Sequence, residues 1–196
     1  MSYLPSEKEQ KAAERYLLIL GSVVAEFEKD YPWISVPLLL AIVSRETWWG
    51  QAPGYVPKGN PSGAGDAGHG HGFFQIDDRA HPAMVRSGQW AEVGPAARYA
   101  IKNVLVPAYA YLKKQFPKLS GPELIRAAIA SYNCGAKNVK KALARGEVDK
   151  YTAGGDYSRD VLKREQWWQN WYQEKMKGAQ KENGENRQMG GMGNGE

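Results

Sequence analysis

The chain has 196 residues, 42% hydrophobic and 11% aromatic, enough for one domain with a full core. Its net charge of +5 favours anionic partners without choosing among nucleic acid, lipid head groups and bacterial envelopes. The basic residues are scattered, with Lys113-Lys114 and Lys140-Lys141 the only adjacent lysines, so a solvated surface is favoured over a nucleic-acid stripe.

The N-terminal stretch 1–16 lacks a basic segment followed by an apolar run and does not read as a signal peptide. Synthesis in the cytoplasm, with export dependent on outside help, is the expectation. Ser6 and Glu9 form a capping-box pattern that opens an amphipathic run from Glu7 to Lys29, with Ala12, Ala13, Tyr16, Leu17, Leu20, Val23, Val24 and Phe27 at helical spacing. Pro32 ends it. Ser35 can cap a second helix to about Trp49, with Pro37 in its first turn. That helix is apolar nearly all round and belongs in the middle of a domain; its run Val36 to Val43 is too short to span a bilayer.

From Gly50 to Gly72 the composition turns to Gly, Pro, Asn and Ser, a long loop of the kind that is often functional. Phe73 to Ile76 reads as a strand of a small hairpin. Helical pattern returns from Pro95 to Phe116, with Pro107 as a kink. Ser120 and Glu123 form another capping box before a buried helix ending near Tyr132. A short helix follows from Lys137 to Arg145, then a last one from Tyr157 to Lys177 carrying Trp167, Trp168 and Trp171. Residues 178–196 hold no aromatic or branched aliphatic residue, so a disordered tail is expected after a single domain over 1–177.

Glu46 shares a helix face with Leu39, Ile42 and Val43. Burial there disfavours the ionised carboxyl and raises its pKa, as a general acid needs, although a buried ion pair or an edge residue reaching solvent fits the spacing equally. The stretch GDAGHGHGFFQIDDRAH, Gly65 to His81, adds Asp66, Asp77 and Asp78 among glycines that let backbone approach a bulky ligand. Glycoside hydrolysis needs two carboxyl functions, and these aspartates are candidates for the second; turn-forming roles are the alternative. His69 and His71, with His81 and Asp66 nearby, make a weak metal pattern. In IASYNCGAKNV, Tyr132 and Asn133 sit at a helix end before Gly135 and can bind a polar ligand. The single cysteine, Cys134, excludes an internal disulfide, points to a reducing compartment and reads as a small packed side chain.

Taken together these stretches resemble the goose-type lysozymes and the related soluble lytic transglycosylases. SRETWWG (Ser44 to Gly50) is similar to the family's S-R-E-S motif. GDAGHGHGFFQIDDRAH is similar to its G-D-x-G-x-G-x-G-x-x-Q-x-D-x-R-x-H loop, SYNCGAKNV to its A-Y-N-A-G-x-x-N-V signature, and DYSRDVL (Asp156 to Leu162) to its closing D-Y-x-x-D-V. The matching stretch is about 36–168.

The resemblance implies a predominantly helical α+β, lysozyme-like domain with a small hairpin or loop insertion. It implies Glu46 as the catalytic acid, Asp66 and Asp77 as the pair that holds and activates water, and Gln75, His81, Tyr132, Asn133 and Tyr157 along the sugar cleft. Both aspartates are usually missing from lytic transglycosylases, so inverting hydrolysis of the muramic acid–glucosamine bond is expected over an anhydro product. A non-catalytic glycan-binding virion protein is the alternative from another class. No cofactor, metal, nucleic acid or stable membrane insertion is expected, and the chain should be a monomer acting on peptidoglycan. Without the vertebrate disulfides, the resemblance points to a phage or bacterial member, such as a bacteriolytic endolysin.

Overall fold

The computed structural model describes residues 3–52 and 68–190, with side chains through Ala179. The predicted first helix is two: α1 over Glu7–Glu14 and α2 over Leu17–Ala25, separated at Tyr16, which leaves helical geometry with φ −112° and ψ 3°. Ser6 caps α1 by accepting from the Glu9 amide, but the capping box is only half made. The Glu9 carboxyl is buried and accepts instead from the Tyr3 and Ser44 hydroxyls, at 2.8 and 2.6 Å.

The second predicted helix, α3 over Val36–Thr47, has Ser35 as its cap and Pro37 in its first turn, and Val36 through Ser44 are all buried. It ends where Trp48 and Trp49 both adopt left-handed backbone, φ 49° and 52°. Bulky residues avoid that region, at a cost of roughly 1–3 kcal/mol each. Burial of Trp49 holds the turn: its indole N–H donates to the Leu40 carbonyl at 3.2 Å and its ring stacks on Tyr16.

Residues 53–67 lie outside the described residues, and with them most of the predicted long loop. The hairpin pairs β1 (Gly70–His71) antiparallel with β2 (Ile76–Asp77), in the register Gly70 to Asp77 and His71 to Ile76. Phe73 and Phe74, predicted in a strand, form the turn. Gly72 and Gln75 both have positive φ there, and the Gln75 amide and side chain each donate to the Gly72 carbonyl, so the chain reverses rather than extends. Gly72 has no room for a Cβ, which would collide with the Trp90 backbone.

Between the hairpin and the next helix, two short elements escape the periodicity: α4 over Pro82–Ser87 and a single 3₁₀ turn over Gln89–Ala91. The predicted kink at Pro107 is a π-helical segment, Ala100–Leu105, joining α5 (Val93–Tyr99) to α6 (Val106–Gln115). Proline has no amide hydrogen and crowds the carbonyl four residues back, and the wider turn absorbs both defects. Ser120 and Glu123 complete the second capping box and open α7, Gly121–Cys134; α8 spans Ala136–Leu143. The last helix, α9, runs from Tyr157 past the compositional boundary at Lys177 to Gly190.

The core lies between α3 and α9, with Leu39, Leu40, Ile42, Trp49, Phe74, Val161 and Trp168 inside it. The tryptophans of α9 are packing residues: Trp168 is fully buried and Trp171 nearly so. A smaller cluster of Leu112, Leu124, Ala127, Ala130 and Val139 joins α6, α7 and α8. The described residues form a mainly helical α+β fold with one two-stranded sheet. No helix among them is long and apolar enough to cross a membrane.

Candidate active site

Glu46 sits one residue before the end of α3. The residue is partly exposed, yet protein crowds its carboxyl, and desolvation lifts the pKa from 4.5 to about 7. The Tyr157 hydroxyl, from the first residue of α9, donates to Glu46 Oε1; this bond and the neighbouring Arg45 charge oppose the rise without cancelling it. The Tyr157 phenol is itself held far above its ordinary pKa, first by burial and then by Glu46, so it remains a donor. Tyr132 is similarly raised by burial and by the Glu46 charge, which places the two groups in the same electrostatic neighbourhood.

A polar network unseen in the sequence fixes the turn that carries Glu46. Arg45 pairs with Asp156 at 3.1 Å and Asp160 at 2.9 Å, and Arg164 reaches the same Asp160 at 2.6 Å. Arg164 also donates to the carbonyl and hydroxyl of Ser44, at 3.1 and 2.9 Å, and lies over the Tyr3 ring. Ser44 and Arg45 are thus tied to α9 immediately before Glu46. Only the i, i+4 spacing of Asp160 and Arg164 signalled part of this arrangement.

The hairpin turn is clamped from both sides. The Tyr132 hydroxyl donates to the Phe74 carbonyl at 2.7 Å, and the Thr47 hydroxyl to the Phe73 carbonyl at 3.3 Å. Between the hairpin, the π segment and the α7–α8 junction lies a cleft of about 570 Å³, whose lining includes Gln75, Asp77, His81, Tyr132 and Asn133. Five sequence-predicted residues therefore converge. Glu46 and Tyr157 are not in the cleft wall; they adjoin it through Tyr132. Tyr157 is almost wholly buried and holds Glu46 rather than lining the groove. Asp66 lies outside the described residues.

The remaining polar groups are already engaged. Both Asp77 carboxylate oxygens face Arg79. His81 Nδ1 lies 3.0 Å from the Tyr99 hydroxyl, and partial burial lowers its pKa against the pull of Asp77. Asn133 accepts from the Ala153 amide at 2.7 Å. His69 and His71 both approach Asp78, at 2.8 and 3.3 Å, so these histidines converge on one carboxylate and His81 points elsewhere. Burial pushes the Cys134 thiol up to about 11, which suits its packed role.

The sequence model of the Lysozyme g family matches residues 6–171. The chain belongs to that family. It is 30% identical over 175 residues to Lysozyme g of Takifugu rubripes, a match spanning 86% of this chain and 82% of the relative. It is 27% identical over 168 residues to Lysozyme G of Dromaius novaehollandiae (85% and 72%), and 27% over 164 residues to that of Struthio camelus (83% and 70%). The family makes this chain a glycoside hydrolase of the goose-type lysozyme class.

Proposed function

We propose that the enzyme is a peptidoglycan muramidase that hydrolyses the β-1,4 bond between N-acetylmuramic acid and N-acetylglucosamine, breaking down bacterial cell walls. The observation that carries this reading is the Glu46 carboxyl, held protonated toward neutrality and donated to by Tyr157, beside a cleft of about 570 Å³. Glu46 delivers its proton to the leaving glycosidic oxygen, and Tyr157 stabilises the carboxylate left behind. Gln75, Tyr132 and Asn133 offer amide and hydroxyl groups to the sugars.

Water attacks the opposite face of the sugar with inversion, directed by Asp66 and Asp77. Asp77 already lines the cleft, and its Arg79 partner fixes the carboxylate orientation. Glu46→Gln is expected to abolish release of soluble fragments from purified peptidoglycan while preserving the fold; a variant that keeps its activity refutes the assignment. Mass spectrometry of the wild-type digest should find reducing-end muramic acid. A 1,6-anhydro product would mean transglycosylation instead, and binding without fragment release would mean a glycan-binding protein.

A further inference from the structure

A second groove lies beside the cleft. It is about 470 Å³ in volume and runs between α6 and α8, lined by Tyr111, Gln115, Phe116, Lys137, Lys140, Lys141 and Ala144. Tyr111 and Lys137 line both spaces, so the two share a wall. Lys137, Lys140 or Lys141, and Ala144 fall at helical spacing on one face of α8, while Val139 and Ala142 face the core. All three lysines are exposed, and among the described residues no carboxylate pairs with them. Part of that charge serves the C-terminal end of α8, where lysine is favourable anyway. A helix-end role does not account for an apolar floor of Tyr111 and Phe116 beneath the lysines.

We propose that this groove seats the peptide branch of the strand whose sugars occupy the cleft. The inference rests on the muramidase reading above. Muramic acid carries its peptide through a lactyl ether, so a strand in the cleft must direct peptide to the side. That peptide is short, carries free carboxylates and bears small apolar side chains. The carboxylates meet Lys140 and Lys141, and the alanine methyls meet Tyr111 and Phe116. Complementary charge and the wall shared with the cleft both favour this occupant over an independent partner.

The test compares wild type with Lys140→Gln/Lys141→Gln on two soluble substrates: peptide-bearing glycan chains, and the same chains stripped of peptide by an amidase. Teichoic acid is removed from both. The expected result is about a fivefold loss of kcat/KM on the peptide-bearing chains, carried by KM and abolished at high salt, with no change on the stripped chains. Lys140→Glu/Lys141→Glu should deepen it. An equal loss on both substrates, or none on either, overturns the proposal. So does a loss that appears only when teichoic acid is restored, which would assign the groove to phosphate. If wild type cleaves neither substrate, the muramidase reading fails instead, and the two failures are distinct.

Discussion

Replacing Glu46 by glutamine should stabilise the enzyme while silencing it, and the gain should depend on pH in a defined way. The folded protein holds the Glu46 proton up to about pH 7, whereas an unfolded chain releases it near 4.5. Between those values the native state binds more protons, so rising pH costs stability through that window and nothing further above it. The displacement of about 2.5 pKa units corresponds to ~3 kcal/mol at 1.36 kcal/mol per unit. Glu46 keeps some solvent contact, so a gain between about 1.5 and 3 kcal/mol at pH 8 is the working range. For a protein of this size that is roughly 3–12 °C in Tm. Urea or thermal unfolding of both proteins at pH 4 and pH 8 measures it, with the other carboxylates common to the pair. The variant should gain at pH 8 and match wild type at pH 4. Equal stability at pH 8, or a difference independent of pH, would refute the claim that burial perturbs this carboxyl.

Tyr157→Phe removes a donor that favours ionised Glu46, so the alkaline limb of the kcat/KM profile should move up by about one pH unit; a fixed or lowered limb contradicts the bond's role. Asp160→Asn takes the shared carboxylate from Arg45 and Arg164 and should cost about 2 kcal/mol in urea unfolding, with a fall in kcat as the end of α3 loosens. Asp149 is buried; burial pushes its pKa up, but the Ser158 hydroxyl and amide, with Arg126, outweigh that and leave it lowered. Its stabilisation is therefore full above the unfolded value of about 3.9 and is lost as pH falls toward the folded value. Asp149→Asn should cost about 2–4 kcal/mol at pH 7 and give a shallower acid unfolding curve.

Helix caps and apolar periodicity are local properties, which is why Ser35, Ser120 and the apolar face of α3 could be read from sequence. The Phe73–Phe74 turn could not, because two apolar aromatics mark a strand unless the positive φ of Gly72 and Gln75 is known. Pro107 was legible as a perturbation but not as a π segment, which depends on how α5 and α6 continue through it. Local pattern placed Glu46 on an apolar face, but its partner Tyr157 lies 111 residues away and entered only through the family motif, as a cleft residue. The unpaired half of the Ser6–Glu9 box is the same lesson in reverse: Ser44, far along the chain, takes the carboxylate that local chemistry would use.

The two hydroxyl clamps on the hairpin have a bearing on how such a cleft can change. Thr47 and Tyr132 grip main-chain carbonyls at Phe73 and Phe74, so what anchors the jaw is peptide, not side chain. Gln75 and Asp77, immediately beyond, present their side chains to the groove. Ligand contacts made at Gln75 and Asp77 therefore leave the two clamp points untouched. The hairpin is thus anchored from distant helices, by donors on α3 and α7 that hold its main chain from both sides.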